Sequence, residues 1–116
     1  MKVKMMSEYN PDKWVMLKIQ TPKQTTYKIL ASWYGGFARG DSWKLNSGCT
    51  KIEEDENLYF FHGHSGSVYQ CHKKTYGMSA YTMGVLESFK KQLEDANEKP
   101  LELMPEDTNF MELNYE

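Results

Sequence analysis

All three histidines of this chain fall between positions 62 and 72, in His62-Gly63-His64-Ser65-Gly66-Ser67 and the following Cys71-His72. Imidazole titrates near neutral pH, so two rings within reach of one substrate can divide acid and base work between them. Imidazole and thiolate are also zinc ligands. His62 and His64 lie two apart and share a face if a strand continues through them. The set is nevertheless incomplete for either chemistry. No fourth metal ligand follows at a familiar spacing. A phosphate-cleaving pair would also need a cation, and Arg39 is the only arginine in the chain. Cys49 and Cys71 form no C-x-x-C pair, and Cys71 and His72, adjacent on a strand, point to opposite faces. No catalytic residue, metal or cofactor is therefore assigned, and the thiols are expected to be reduced, buried apolar side chains.

A second cluster is Gly35-Gly36-Phe37-Ala38-Arg39-Gly40-Asp41. Its glycines permit positive φ and tight turns. It is not a phosphate loop, because no G-x-G-x-x-G or P-loop lysine leads from a strand into a helix. Arg39-Gly40-Asp41 spells an integrin-binding tripeptide, read as a chance match in a chain with no export signal. A third feature is the interleaving of Trp14, Tyr27, Trp33, Tyr34, Phe37 and Trp43 with Lys13, Lys18, Lys28, Arg39, Lys44 and Lys51. Aromatics among cations on a sheet can stack bases and neutralise phosphates. They can equally fill a core while the lysines cover its outside.

The elements that hold these residues follow from periodicity. Residues 1–12 read as an irregular arm ending at the Asn10-Pro11-Asp12 turn. Lys13–Gln20 alternates Val15, Leu17 and Ile19 with Trp14, Met16 and Lys18. Thr25–Tyr34 alternates Tyr27, Ile29, Ala31 and Trp33 with Lys28, Leu30, Ser32 and Tyr34, so the two form a hairpin. A third strand is predicted over Ser42–Ile52, with Gly48 able to bend it or form a bulge. Leu58–His62 and Ser67–His72 make the fourth and fifth. A helix over 79–96 is predicted from Ser79 as N-cap and from Tyr81, Val85, Phe89 and Leu93 at intervals of four. Leu101–Met104 can add an edge strand. Residues 97–116 form an acidic tail with enough apolar residues (Phe110, Met111, Leu113, Tyr115) to dock. The expectation is a single α+β domain: one antiparallel sheet of about five strands with one long C-terminal helix on one face.

Composition limits the function classes. The 116 residues include 40% hydrophobic and 14% aromatic side chains, which excludes a disordered or low-complexity chain. No apolar run approaches the roughly 20 residues of a membrane span, and the first residues lack a secretory signal, so the expectation is a cytoplasmic protein without membrane contact. Residues 1–51 carry nine Lys/Arg against three Asp/Glu, and residues 52–116 five against thirteen. Halves of opposite sign neutralise each other once folded together. A net charge of -2 argues against a dedicated nucleic-acid binder.

Ser32-Trp33-Tyr34-Gly35-Gly36, Gly40-Asp41-Ser42-Trp43-Lys44-Leu45-Asn46-Ser47-Gly48, Ser65-Gly66-Ser67-Val68-Tyr69 and Met104-Pro105-Glu106-Asp107-Thr108 together resemble uncharacterised small hypothetical proteins of tailed phages and marine metagenomes. The resemblance spans residues 13–110. It implies a viral accessory protein inside a bacterial host, and no catalytic residues come with it. The function expected is a protein-binding module without catalysis. The alternatives are nucleic-acid binding through the aromatic and basic N-terminal strands, and a small hydrolase using His62 and His64. Loops on rigid scaffolds are where binding usually resides. In a simple meander the loops Gly35–Ser42 and His62–Ser67 share one edge of the sheet. Tyr34, Phe37, Arg39, Asp41, His62 and His64 are accordingly the candidate binding residues.

Overall fold

The computed structural model describes residues 8–20, 22–35, 40–95 and 101–115. Its elements are β1 (Glu8–Tyr9), β2 (Lys13–Gln20), β3 (Thr25–Trp33), β4 (Ser42–Leu45), β5 (Cys49–Glu54), β6 (Leu58–Gly63), β7 (Val68–His72), α1 (Ala80–Asp95) and β8 (Glu102–Leu103), then a 3-10 turn at Phe110–Glu112. The class is α+β. The predicted single sheet of about five strands is corrected: there are two four-stranded sheets, ordered β4-β3-β2-β8 and β1-β7-β6-β5.

The β2–β3 hairpin explains why two sheets are needed. Its strands pair antiparallel, Val15 opposite Leu30 and Leu17 opposite Lys28. Strict alternation then sends apolar side chains to both faces, and both must be covered. Val15, Leu17 and Leu30 turn toward α1 and pack with Leu86 and Leu101. Trp14, Met16, Tyr27, Ile29 and Ala31 turn the other way and meet Phe61, Tyr69 and Cys71 of the second sheet. The middle sheet is thus buried between a helix and a sheet.

The departure from one sheet to two happens at a single corner. The predicted strand over 42–52 is broken at Asn46-Ser47-Gly48 into β4, which stays with β3, and β5, which joins β6. Asn46, only 4% exposed, makes the break. Its backbone N–H donates to the Ile29 carbonyl at 3.0 Å. Its Oδ1 accepts from the Ile29 N–H at 2.9 Å and the Gly48 N–H at 3.3 Å, and its Nδ2 donates to the Cys49 Sγ at 3.4 Å. One side chain so replaces the next rung of the ladder and lets the backbone leave. Gly48 follows at φ +122°, where a Cβ would stand 3.1 Å from both His64 and Thr26 side chains. Only glycine fits that bend.

The helix begins as predicted, with the Ser79 hydroxyl accepting from the Thr82 N–H at 3.3 Å. Its buried stripe is rotated from the predicted one. Tyr81 is 46% exposed, whereas Thr82 and Leu86 are buried. Steps of four residues overshoot a helical turn by about 40° each, so 81, 85, 89 and 93 drift around the axis. The set 82, 86, 89 and 93 stays on one side.

Residues outside the predicted strands complete the inter-sheet core. β1, inside the predicted irregular arm, pairs parallel with β7. β8 adds to β2 as the predicted edge strand. Phe110, from the acidic tail, is 2% exposed and packs on Trp14 at 5.3 Å between ring centroids. Trp14 itself donates its indole N–H to the His72 carbonyl at 2.8 Å, tying the two sheets together at their centre. Among the described residues no helix is long and apolar enough to cross a membrane.

Candidate functional site

The two loops expected to be neighbours lie at opposite ends of β3. The His64 N–H donates to the Gly48 carbonyl at 3.1 Å, and Gly48 sits against Thr26 at the start of β3. The Gly35 loop leaves from Trp33, at its far end. Trp33 lies seven residue steps along the strand from Thr26, on the order of 23 Å. The physical reason is the Asn46 corner. Breaking one strand into two adds a reversal, so every later strand runs opposite to the direction a meander implies.

The histidines do not converge either. His62 faces outward from β6, its Nε2 2.6 Å from the Glu53 carboxylate on β5. His64 lies in the turn over Gly48 and borders a small cavity of about 80 Å³ with Cys49 and Tyr115. His72 receives the Lys74 N–H on its Nδ1 at 3.2 Å. No group of three His, Cys, Asp or Glu side chains gathers as a metal site among the described residues. Burial pushes the Cys49 thiol up to about 12 and the Cys71 thiol well above its ordinary value. Both stay protonated and are poor nucleophiles at neutral pH.

The aromatic and basic set is divided between core and surface. Trp14 and Tyr27 are buried. Lys44 lies over the ring of Tyr9, 5.2 Å from its centroid, as a neighbour of the fold. Two aromatic residues remain exposed beside the Gly35 loop, Tyr34 at 54% and Trp43 at 39%.

Those two mark the best-built surface. β4 is the outer strand of its sheet, and Ser42, Trp43 and Lys44 are all exposed. Trp43 stands opposite Ser32, on the face toward α1, and meets Phe89 edge-on at 5.3 Å. Tyr34, one residue past β3, is held by its backbone. Its N–H donates to Asp12 Oδ2 at 2.8 Å, while the neighbouring Trp33 indole donates to the Asn10 carbonyl at 2.9 Å. The loop between them is closed at its neck, where an ideal Cβ on Gly35 would fall 1.4 Å from the Gly40 carbonyl oxygen. Glycine is required for that approach. Of the candidate residues, Tyr34 and Asp41 flank this neck, whereas Phe37 and Arg39 lie outside the described residues. Trp43 is absent from the candidate binding residues because a continuous strand over Ser42–Ile52 would place it inside the sheet rather than at a short edge. Its place on a four-residue edge follows only from the break at Asn46.

Comparison with known proteins supplies no match: no family model, no curated protein and no solved structure.

Proposed function

We propose that this chain is a non-catalytic protein-binding module that takes an extended segment of its partner along the free β4 edge, beside the Gly35–Gly40 loop. The observation that carries this reading is the pair of exposed aromatic residues, Tyr34 and Trp43, at an edge strand without a partner on its outer side among the described residues. An edge offers unpaired backbone groups to an added strand, and flanking side chains select the sequence. Aromatic anchors are enriched in such contacts. The divergent histidines and protonated thiols favour binding over hydrolysis. The burial of Trp14 and Tyr27 favours a protein over a nucleic-acid partner. A viral accessory role in a bacterial host accords with the resemblance on residues 13–110.

The test is affinity capture from bacterial lysate, with and without nuclease, by the wild-type chain and by Tyr34→Ser. The reading expects a captured protein that survives nuclease treatment and is reduced at least about tenfold by the substitution, the equivalent of about 1.4 kcal/mol. Capture that nuclease abolishes, or that Tyr34→Ser leaves at full strength, overturns it.

A further inference from the structure

A separate cleft lies at the opposite end of the middle sheet, where the β2–β3 hairpin meets the C-terminal segment. It encloses about 360 Å³ and is lined by Lys18, Lys23, Gln24, Thr25, Tyr27 and Asn114. The hairpin register builds its floor. Lys18 stands directly opposite Tyr27, and Thr25 follows two residues away on the same face. Lys23 comes from the turn, and Asn114 closes the other side.

Three features give the cleft its chemistry. Lys18 and Lys23 make no ion pair among the described residues, although four ion pairs form elsewhere. Among the described residues no carboxylate lines the cleft; Glu102, opposite Lys18 on β8, is exposed and not part of its wall. Tyr27 is 8% exposed, with its ring against Tyr115 at 5.5 Å. The residue forms part of the cleft wall. A tyrosine so deeply packed ordinarily places its O–H on an acceptor.

We infer that this cleft binds the phosphate group of a small molecule. Two ammonium groups and two hydroxyls, from Lys18, Lys23, Tyr27 and Thr25, offer donors from several directions. That suits a tetrahedral, multiply charged oxyanion, whereas a planar carboxylate is best met by the flat fork of an arginine. The volume exceeds one phosphate and lies within the range of small-molecule sites, which leaves space for the rest of the ligand. A concave site favours a small ligand over the continuous backbone of a nucleic acid.

The probes are pyrophosphate, citrate and a single-stranded oligonucleotide of random sequence, each titrated into the full chain by calorimetry and amide chemical shifts. Saturable pyrophosphate binding is expected, with shifts confined to residues 18–27 and 114. The double variant Lys18→Met/Lys23→Ala, which keeps the apolar stem of Lys18, is expected to weaken it at least tenfold, about 1.4 kcal/mol. Tyr27→Phe keeps the ring packing and is expected to weaken it a further few-fold. Four results overturn the inference: no saturation by pyrophosphate, equal binding in the double variant, citrate binding as tightly, or the oligonucleotide binding more tightly at the same residues. None of these touches the β4 edge, so the protein-binding reading stands or falls separately.

Discussion

The corner at Asn46–Gly48 and the neck at Gly35–Gly40 look alike as strings of residues, each short, glycine-bearing and set between strands. In the fold they are opposites. The corner is sealed: Asn46 is buried, its carboxamide is bonded on both ends, and Gly48 lies beneath His64 and against Thr26. The neck lies at the surface, with glycine letting two backbones touch while Tyr34 and Trp43 stand exposed on either side. What separates them is where the hydrogen bonds go. A glycine turn whose polar neighbour is spent on the backbone serves the architecture. One whose flanking side chains remain unburied is available to a partner.

The sharpest way to break this comparison is at Asn46. Asn46→Ala strands the buried N–H groups of Ile29 and Gly48, and each unsatisfied donor costs about 1–3 kcal/mol. A loss on the order of 2–5 kcal/mol is expected by denaturant unfolding. A loss near zero would mean that the corner is held by something else. Gly48→Ala comes next: the positive φ alone carries roughly 1–3 kcal/mol of strain, to which the contacts with His64 and Thr26 add. Gly35→Ala, whose Cβ would fall 1.4 Å from the Gly40 carbonyl oxygen, must force the neck apart; at the surface this is expected to lower stability less, about 1 kcal/mol, with amide shifts confined to residues 34–42 and capture of a protein partner lost. Smallest of all is Tyr34→Ser, expected to leave the unfolding free energy within about 0.5 kcal/mol, as exposed substitutions do. If Gly35→Ala proves as damaging as Gly48→Ala, the neck is architectural too and the contrast collapses.

Period-two alternation made β2 and β3 legible residue by residue, including that Trp14 and Val15 face opposite sides. What alternation cannot report is what covers each face, and the second sheet was missed for that reason. Asn46 carried the missing information, but Leu-Asn-Ser-Gly inside an apparent strand reads as a mere irregularity until its carboxamide is seen to replace a ladder rung. The helix was legible in extent and capping. Its register was not, because the apolar residues at intervals of four point to Tyr81, whereas the side chain that packs inward is the polar Thr82. In the candidate site, Tyr34 and Asp41 remained together at one end of β3. His62 and His64 went elsewhere because their positions depended on strand direction, which one unrecognised corner reverses.

The packing of Phe110 on Trp14 has a bearing on how this chain acquires its shape. The indole sits early in the chain and the ring that closes over it arrives almost a hundred residues later. Contacts so distant along the chain form slowly, since the intervening loop must first be closed. On the ribosome, the β2–β3 hairpin emerges with its wider apolar face bare; Phe61, Tyr69 and Cys71 follow with the second sheet, and the ring of Phe110 is the last to close over Trp14. Until Phe110 has emerged the face of Trp14 and Met16 is incompletely covered, and it is there that a chaperone has most to shield on the nascent chain.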